Sequence, residues 1–264
     1  MSLIEKAVNQ QRLAEKIEEV SKGDHAQSLL KSKSSLDLSD VKRVTIDPSH
    51  AFEYRLAATR DDDSVASAYK MLRTRAAQRA KANGWTSIAV TAMRAGEGKS
   101  VTSINLALSL AAQPDQKVFL VDLDFHNHSV VKYLGLSGHA HLMDFVRGNR
   151  GLAEALVQID NNGLYCLLNE EHIGDSSELL MSPQMADLAK VFGSIGGTVI
   201  YDLPPLLEAD DFLAFSDRVD CSLLVVSEGQ TTRHDMRTAA ERLKGRELLG
   251  VVLNKSRGDV PKYY

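Results

Sequence analysis

The segment that most constrains this 264-residue chain is Thr91-Ala92-Met93-Arg94-Ala95-Gly96-Glu97-Gly98-Lys99-Ser100, which follows an apolar run, Ile88 to Val90, and leads into a helix-forming one, Val101 to Ala112. Gly96 and Gly98 tolerate backbone angles that other residues resist. Successive amides can therefore converge on phosphate oxygens while the new helix aims its positive end at them. The spacing lets Lys99 reach the β- and γ-phosphates of a nucleotide and lets Ser100 hold Mg²⁺. The candidate nucleotide cradle is Arg94, Ala95, Gly96, Glu97, Gly98, Lys99, Ser100 and Val101, with Lys99 read as a charge aimed at phosphate rather than as a core residue. Met93 stands where the G-x-x-x-x-G-K-[ST] pattern has its first glycine, so the match lies in the second half of the motif and draws its weight from the strand before and the helix after.

A helix is expected from Ser64 to about Ala82. Strands are expected at Thr86 to Thr91, Lys117 to Asp122, Leu164 to Leu168, Thr198 to Asp202, Cys221 to Ser227 and Leu248 to Asn254. Ser182-Pro183 reads as the N-cap and first turn of one intervening helix, and Gly245 as the stop of another that begins near Thr232. Strand and helix alternate, which predicts an α/β fold with a mostly parallel sheet and helices on both faces. In such folds ligands sit at the carboxyl ends of the strands.

Two strands deliver acids at such ends. Val118-Phe119-Leu120-Val121 runs into Asp122 and Asp124, and Thr198-Val199-Ile200-Tyr201 runs into Asp202. Alternate residues of a strand share a face, so Asp122 and Asp124 can both face the nucleotide. Mg²⁺ takes oxygen ligands and keeps several waters, so Ser100 with Asp122 or Asp202 and the nucleotide phosphates would suffice. A second acid can then take or orient a proton. The string from Asp122 to His128, Asp-x-Asp-x-His-x-His, also admits a zinc reading beside that of a nucleotide-site loop with ordinary histidines.

Ahead of the domain, Leu3, Ile4, Ala7, Val8, Leu13, Ala14, Ile17 and Val20 follow a capping-box start at Ser2 with helical spacing. Residues 1–20 are read as an amphipathic helix, either packed on its own domain or docked on another protein. Residues 21–63 are read as a linker, 64–256 as the catalytic domain and 257–264 as a tail. The formal net charge of −4 provides no global field for nucleic acid or an anionic membrane, and the basic stripe Arg75, Arg79 and Lys81 is read most simply as a solvated face, with a surface for an acidic partner or DNA as the alternative. No apolar run approaches the roughly 20 residues that span a bilayer, no hydrophobic signal core opens the chain, and Cys166 and Cys221 lie inside apolar runs as buried thiols would. A cytoplasmic location is expected.

These motifs resemble the bacterial tyrosine kinases of exopolysaccharide and capsule assembly, in their free-standing cytoplasmic form. The resemblance runs from about Ser64 to the C-terminus. It is carried by Gly96 to Ser100, Asp122-Leu123-Asp124, Asp202-Leu203-Pro204-Pro205, Ser177-Glu178-Leu179-Leu180-Met181-Ser182 and Val225 to Thr232, and the opening Met1 to Ala7 is similar to autokinases of exosortase-linked polysaccharide loci. It implies a P-loop NTPase fold of the ParA/MinD kind and protein-tyrosine autokinase activity with ATP and Mg²⁺. It assigns phosphate and Mg²⁺ contacts to Lys99 and Ser100, the role of base or metal-associated acid to Asp122, its companion role to Asp124, and the third acidic motif to Asp202. It makes Tyr263 and Tyr264 the phosphoacceptors, phosphorylated by a neighbouring copy. It also implies self-association through the tail and the helix 64–82, an activating membrane partner of the chain-length-determinant, co-polymerase type, and a place at the inner face of the membrane through that partner.

Three positions depart from the family pattern. Arg94 falls at the extra signature lysine of ParA/MinD ATPases and is open to a phosphate contact in cis, a contact across a dimer, or solvent. His126 replaces an arginine. Ser67 replaces the acid of a Glu-x-x-Arg-x-x-Arg helix in which Lys70 and Arg73 share a face. A ParA/MinD-like switch ATPase, with water as nucleophile, and a degenerate nucleotide-binding regulatory partner are the two alternatives.

Overall fold

The computed structural model describes residues 37–57, 64–160 and 162–256. The expected helix at 1–20, the start of the expected linker and the tail with Tyr263 and Tyr264 lie outside the described residues.

Eight strands form one sheet: β1 (Lys42–Val44), β2 (Ser87–Ala92), β3 (Val118–Asp122), β4 (Val157–Ile159), β5 (Leu164–Leu167), β6 (Thr198–Asp202), β7 (Cys221–Ser227) and β8 (Leu248–Asn254). Their order is β1-β4-β5-β3-β6-β2-β7-β8. Every pairing is parallel except β4 with β5. Helices fill the connections: α1 (Pro48–Glu53), α2 (Ser64–Asn83), α3 (Lys99–Ala111), α4 (Ser129–Leu134), α5 (Leu142–Val146), α6 (Leu152–Ala155), α7 (Ser176–Met181), α8 (Pro183–Ile195), α9 (Asp211–Ser216) and α10 (Arg233–Arg242). Among the described residues no helix is long and apolar enough to cross a membrane.

The central strands are buried on both faces, which is why they read as unbroken apolar runs. Phe119 and Val121 of β3 enter the core under α8 and α9, with Phe192, Phe212 and Phe215. Val118 and Leu120 enter the opposite core, with Ile104, Ala107 and Leu108 of α3. Continued by two residues, the second series reaches Asp122 at the strand end, and Ile200 of β6 leads by the same parity to Asp202. The strand period thus delivers both acids to the side that α3 covers.

The helix starts obey local chemistry. Ser182 accepts from the Met185 amide ahead of Pro183, and Thr232 accepts from the Asp235 amide while the Asp235 carboxylate answers the Thr232 amide. The expected central strands form within about one residue of their predicted limits. Cys166 and Cys221 are free, buried thiols, and burial pushes the Cys221 thiol up to about 12.

The linker reading of 21–63 is corrected over its described part. Lys42–Val44 pairs with β4, Arg43 Nε donates to Gln158 Oε1 at 3.0 Å, and Ile46, Ala51 and Leu56 join the core around α3. Lys-Arg-Val carries no apolar alternation, so the pairing is imposed by β4 rather than announced by the segment. β4, Val-Gln-Ile, does alternate, but three residues are too few to mark a strand in the sequence.

At the end of the sheet opposite the acids, Gly197 has φ +111°, and a Cβ there would overlap the Lys117 carbonyl that accepts the Thr198 amide at 2.9 Å. Gly197→Ala is expected to destabilise the nucleotide-free protein by about 2 kcal/mol or more, with nucleotide affinity unchanged. Denaturant unfolding and nucleotide titration of the same variant check both halves.

Candidate active site

α3 is thirteen residues long and begins without a side-chain cap: its N-cap is Gly98, at φ +95° and ψ 25°. In contrast to α8 and α10, its first amides are left to an external acceptor, and the helix dipole favours an anion there. Glycine is required at 98 twice over. The left-handed backbone excludes most side chains, and a Cβ would overlap the Asn254 amide that donates to Glu97 O at 2.8 Å.

The loop before α3 is shaped from inside. Glu97 is almost fully buried, and its Oε2 accepts from the amides of Met93 and Arg94 at 2.8 and 3.0 Å while Oε1 accepts from Thr231. Met93 needs no left-handed backbone and buries its side chain in the core beneath α8 and α9. That explains how a methionine serves where the pattern has glycine: the turn is held by a carboxylate clamp. Glu208 accepts from the Ala95 amide at 2.9 Å, and Lys255 Nζ donates to Gly96 O at 2.7 Å. Thr91 Oγ1 donates to Pro204 O at 2.7 Å, tying the loop's strand to the segment after Asp202.

Behind the loop, Lys99 Nζ lies 2.6 Å from Asp124 Oδ2 and 3.1 Å from Asp202 Oδ2. Ser100 Oγ donates to Asp202 Oδ2 at 2.6 Å and Ser103 Oγ donates to Asp202 Oδ1 at 2.7 Å. Asp122 Oδ1 accepts from the Asp124 amide at 3.2 Å, whereas Asp122 Oδ2 is buried with no hydrogen-bond partner among the described residues. Asp122, Asp124 and Asp202 are fully buried and Lys99 is 8% exposed. Burial is the strongest single influence on the Lys99 ammonium and opposes its charge. The Asp202 and Asp124 carboxylates together outweigh it and hold the lysine above its ordinary range. Burial, and then Asp202, push the Asp122 carboxyl well above the usual carboxylate range.

Three carboxyls against one lysine leave an excess of buried negative charge when all are ionised, and an uncompensated buried charge is expensive. The donor set suits a hard divalent cation: the Ser100 hydroxyl, Asp202, and the orphaned Asp122 oxygen, all beside the uncapped amides of α3. Among the described residues no group of three His, Cys, Asp or Glu is arranged to hold a metal by itself. A cation here would take its remaining ligands from phosphate and water.

The structure brings Gly96 to Ser100, Asp122, Asp124 and Asp202 together. One part of the site-residue reading is corrected. Lys99 is a buried partner of two carboxylates as well as a candidate phosphate ligand. Arg94 is half exposed and turns to Asp235 Oδ1 at 2.7 Å, a pairing that holds the Asp235 carboxyl well below its usual range. β3 ends at Asp122, so the Asp-x-Asp-x-His-x-His string does not run along one strand face; His126 Nε2 goes to Asp211 and Ser176 at 3.1 and 3.0 Å. Arg73 donates to Ser109 O at 3.3 Å on α3. Glu208, Asp211, Ser176, Asn254 and Lys255 were not singled out from sequence. They come from four segments that only the fold assembles, although Asn254 and Lys255 do stand at a predicted strand end.

Residues 88–263 match the CobQ/CobB/MinD/ParA nucleotide binding domain. The tyrosine-protein kinase CpsD of Streptococcus pneumoniae is 30% identical over 179 residues, 67% of this chain and 78% of that protein. A putative tyrosine-protein kinase EpsB of Ralstonia solanacearum is 29% identical over 76% of this chain, which spans only 27% of that longer protein. Among solved structures, the kinase domain of the Escherichia coli tyrosine kinase ETK superposes with a TM-score of 0.71 at 26% identity, covering 79% of this chain and 82% of that domain.

Two substitutions in the ion cluster are expected to move stability in opposite directions. Lys99→Met strands Asp124 and Asp202 and costs about 3–5 kcal/mol along with nucleotide binding. Asp122→Asn raises the nucleotide-free thermal midpoint at pH 7. The sign follows from linkage: a carboxyl whose folded pKa lies above its unfolded value loses stability as pH rises through the unfolded pKa, about 4. The advantage of Asp122→Asn over wild type should therefore vanish toward pH 4 and grow above it, as calorimetry across that window measures.

Proposed function

Since the chain belongs to the CobQ/CobB/MinD/ParA nucleotide-binding family, and within it to the bacterial tyrosine-protein kinases, we propose that it transfers the γ-phosphoryl group of ATP to Tyr263 and Tyr264 of another copy of itself, and that this controls polymerisation or export of an exopolysaccharide. The single observation that carries the catalytic reading is the uncapped start of α3 facing Lys99, Ser100 and three buried acids, one of them with an orphaned oxygen.

Phosphoryl transfer asks a protein mainly for positioning and charge neutralisation. The amides of Gly96 to Val101 hold the phosphates, and Lys99 exchanges one carboxylate partner for a phosphate oxygen. Ser100, Asp122 and Asp202 hold Mg²⁺, which when bound neutralises charge on the β- and γ-phosphates. Asp124, beside Lys99, keeps that lysine aimed. The Lys255 contact to Gly96 O roots the tail at the mouth of the loop. Tyr263 stands eight residues beyond Lys255, a reach of roughly 25–30 Å when extended. Accessibility among the other tyrosines supports the tail as substrate: Tyr69, Tyr165 and Tyr201 are buried, and burial pushes the Tyr201 hydroxyl up, while Tyr54 and Tyr133 are half-buried.

The membrane enters this reading through a partner of the co-polymerase type, which would hold the chain at the inner face of the membrane and activate it. Self-association through α2 and the tail would bring one copy's tail to another's site.

Intact-mass analysis after incubation with Mg·ATP tests the activity. We expect phosphate on Tyr263 and Tyr264, its loss in the Tyr263→Phe/Tyr264→Phe variant, and acceleration by a cytoplasmic peptide of the partner. ATP hydrolysis without phosphotyrosine would favour the switch ATPase. Nucleotide binding without turnover would favour the regulatory reading, and phosphate confined to Tyr54 or Tyr133 would overturn the tail as substrate.

A further inference from the structure

His126 stands at the edge of the acidic cluster, and two buried groups from distant segments hold its ring. Asp211, at the start of α9, and Ser176, at the start of α7, are each about 2% exposed. Ser176 Oγ donates to Asp211 Oδ2 at 2.7 Å, and His126 Nε2 lies 3.1 Å from the same oxygen and 3.0 Å from Ser176 Oγ. With the serine proton given to Asp211, an Nε2–H that donates to the carboxylate and the serine oxygen completes the set. The lone pair is then on Nδ1, on a side chain that remains 35% exposed. A carboxylate that fixes an imidazole tautomer and leaves the other nitrogen basic is the arrangement by which proton acceptors are built.

The carboxylates nearby are engaged. Asp124 Oδ2 is with Lys99, and its Oδ1 accepts from the amides of His126 and Asn127 at 3.2 and 3.0 Å. Both oxygens of Asp202 are taken by Lys99, Ser100 and Ser103, and Asp122 is wholly buried beneath them. The His126 backbone amide is held by Asp124, the partner of Lys99, so His126 lies on the loop that joins the acidic cluster.

We propose that His126, positioned by Asp211 and Ser176, is the group that accepts the proton of the incoming tyrosyl hydroxyl. This rests on the kinase reading above. As the tyrosyl oxygen–phosphorus bond forms and the bond from phosphorus to the β,γ-bridging oxygen breaks, releasing ADP, the hydroxyl proton passes to Nδ1. The imidazolium is balanced by Asp211 until the product tail leaves and the proton is lost to water. The groups against the ring are Asp211 from α9, beside Ser176 of α7, and His172 from the segment after β5, with ring centroids 5.8 Å apart, while Asp124 of the same loop accepts from the His126 backbone amide.

The test measures phosphotyrosine formation and nucleotide affinity of the full chain across pH. Wild type should lose turnover on the acid side, where a proton-accepting imidazole is blocked. His126→Gln should cut turnover about 100-fold, leave the nucleotide Kd within about twofold, and lose the acid limb. Asp211→Asn should also slow turnover, because an amide can impose the other tautomer, whereas His172→Gln should keep the limb. Unchanged turnover in His126→Gln, an acid limb that follows His172 instead, or a flat wild-type profile would overturn the assignment while leaving the kinase reading intact. Wild type that binds nucleotide and never forms phosphotyrosine would overturn both.

Discussion

The ion cluster between Lys99 and the three acids is the interaction on which the rest of the site depends. At an effective dielectric of about 20, unit charges 3 Å apart attract by roughly 5–6 kcal/mol, and each ion loses several kcal/mol of hydration on burial. Lys99 bonded to both Asp124 and Asp202 offsets much of that loss, and Ser100 and Ser103 satisfy the Asp202 oxygens that remain. The third carboxyl, Asp122, makes no ion pair of its own, and burial, then the neighbouring Asp202, push it above the usual carboxylate range. With all three acids ionised the cluster holds two more negative charges than positive ones, a balance that a divalent cation can restore.

The phosphate loop depends on that sheet in a second way. Its shape is set from outside the motif by Asn254 at the end of β8 and Thr231 before α10, which both bond Glu97, by Lys255, which bonds Gly96, and by Glu208 after β6, which bonds Ala95. Because β8 is the strand from which the tail departs, the loop that would hold phosphate and the root of the segment proposed to receive it share hydrogen bonds. Arg94 is drawn into the same frame by Asp235, so its exposed guanidinium has a fixed address rather than a free arc.

On the acceptor side, an imidazole replaces the arginine of the family pattern, and it is not a simple loss of charge. His126 is wired to Asp211 and Ser176, whose helices pack together beside the acidic cluster. A guanidinium would bring a permanent charge, whereas an imidazole brings a proton site.

Sequence alone determined the α/β class, the central strands, the helix starts at Ser182 and Thr232, the phosphate loop and the three acids. Each is a local signal: a two-residue or 3.6-residue period, a cap, or glycines at fixed offsets next to a lysine and a serine. Only the tertiary structure decided the rest. It placed 42–44 in the sheet, because a three-residue polar strand owes its existence to its neighbour. It made Lys99 a buried ion held between two carboxylates, because burial is a property of the whole domain. It recruited Glu208, Asp211, Ser176 and Asn254, because hydrogen bonds between residues far apart in the chain, such as the 157 positions from Glu97 to Asn254, leave no periodicity or spacing in the sequence for a reader to find.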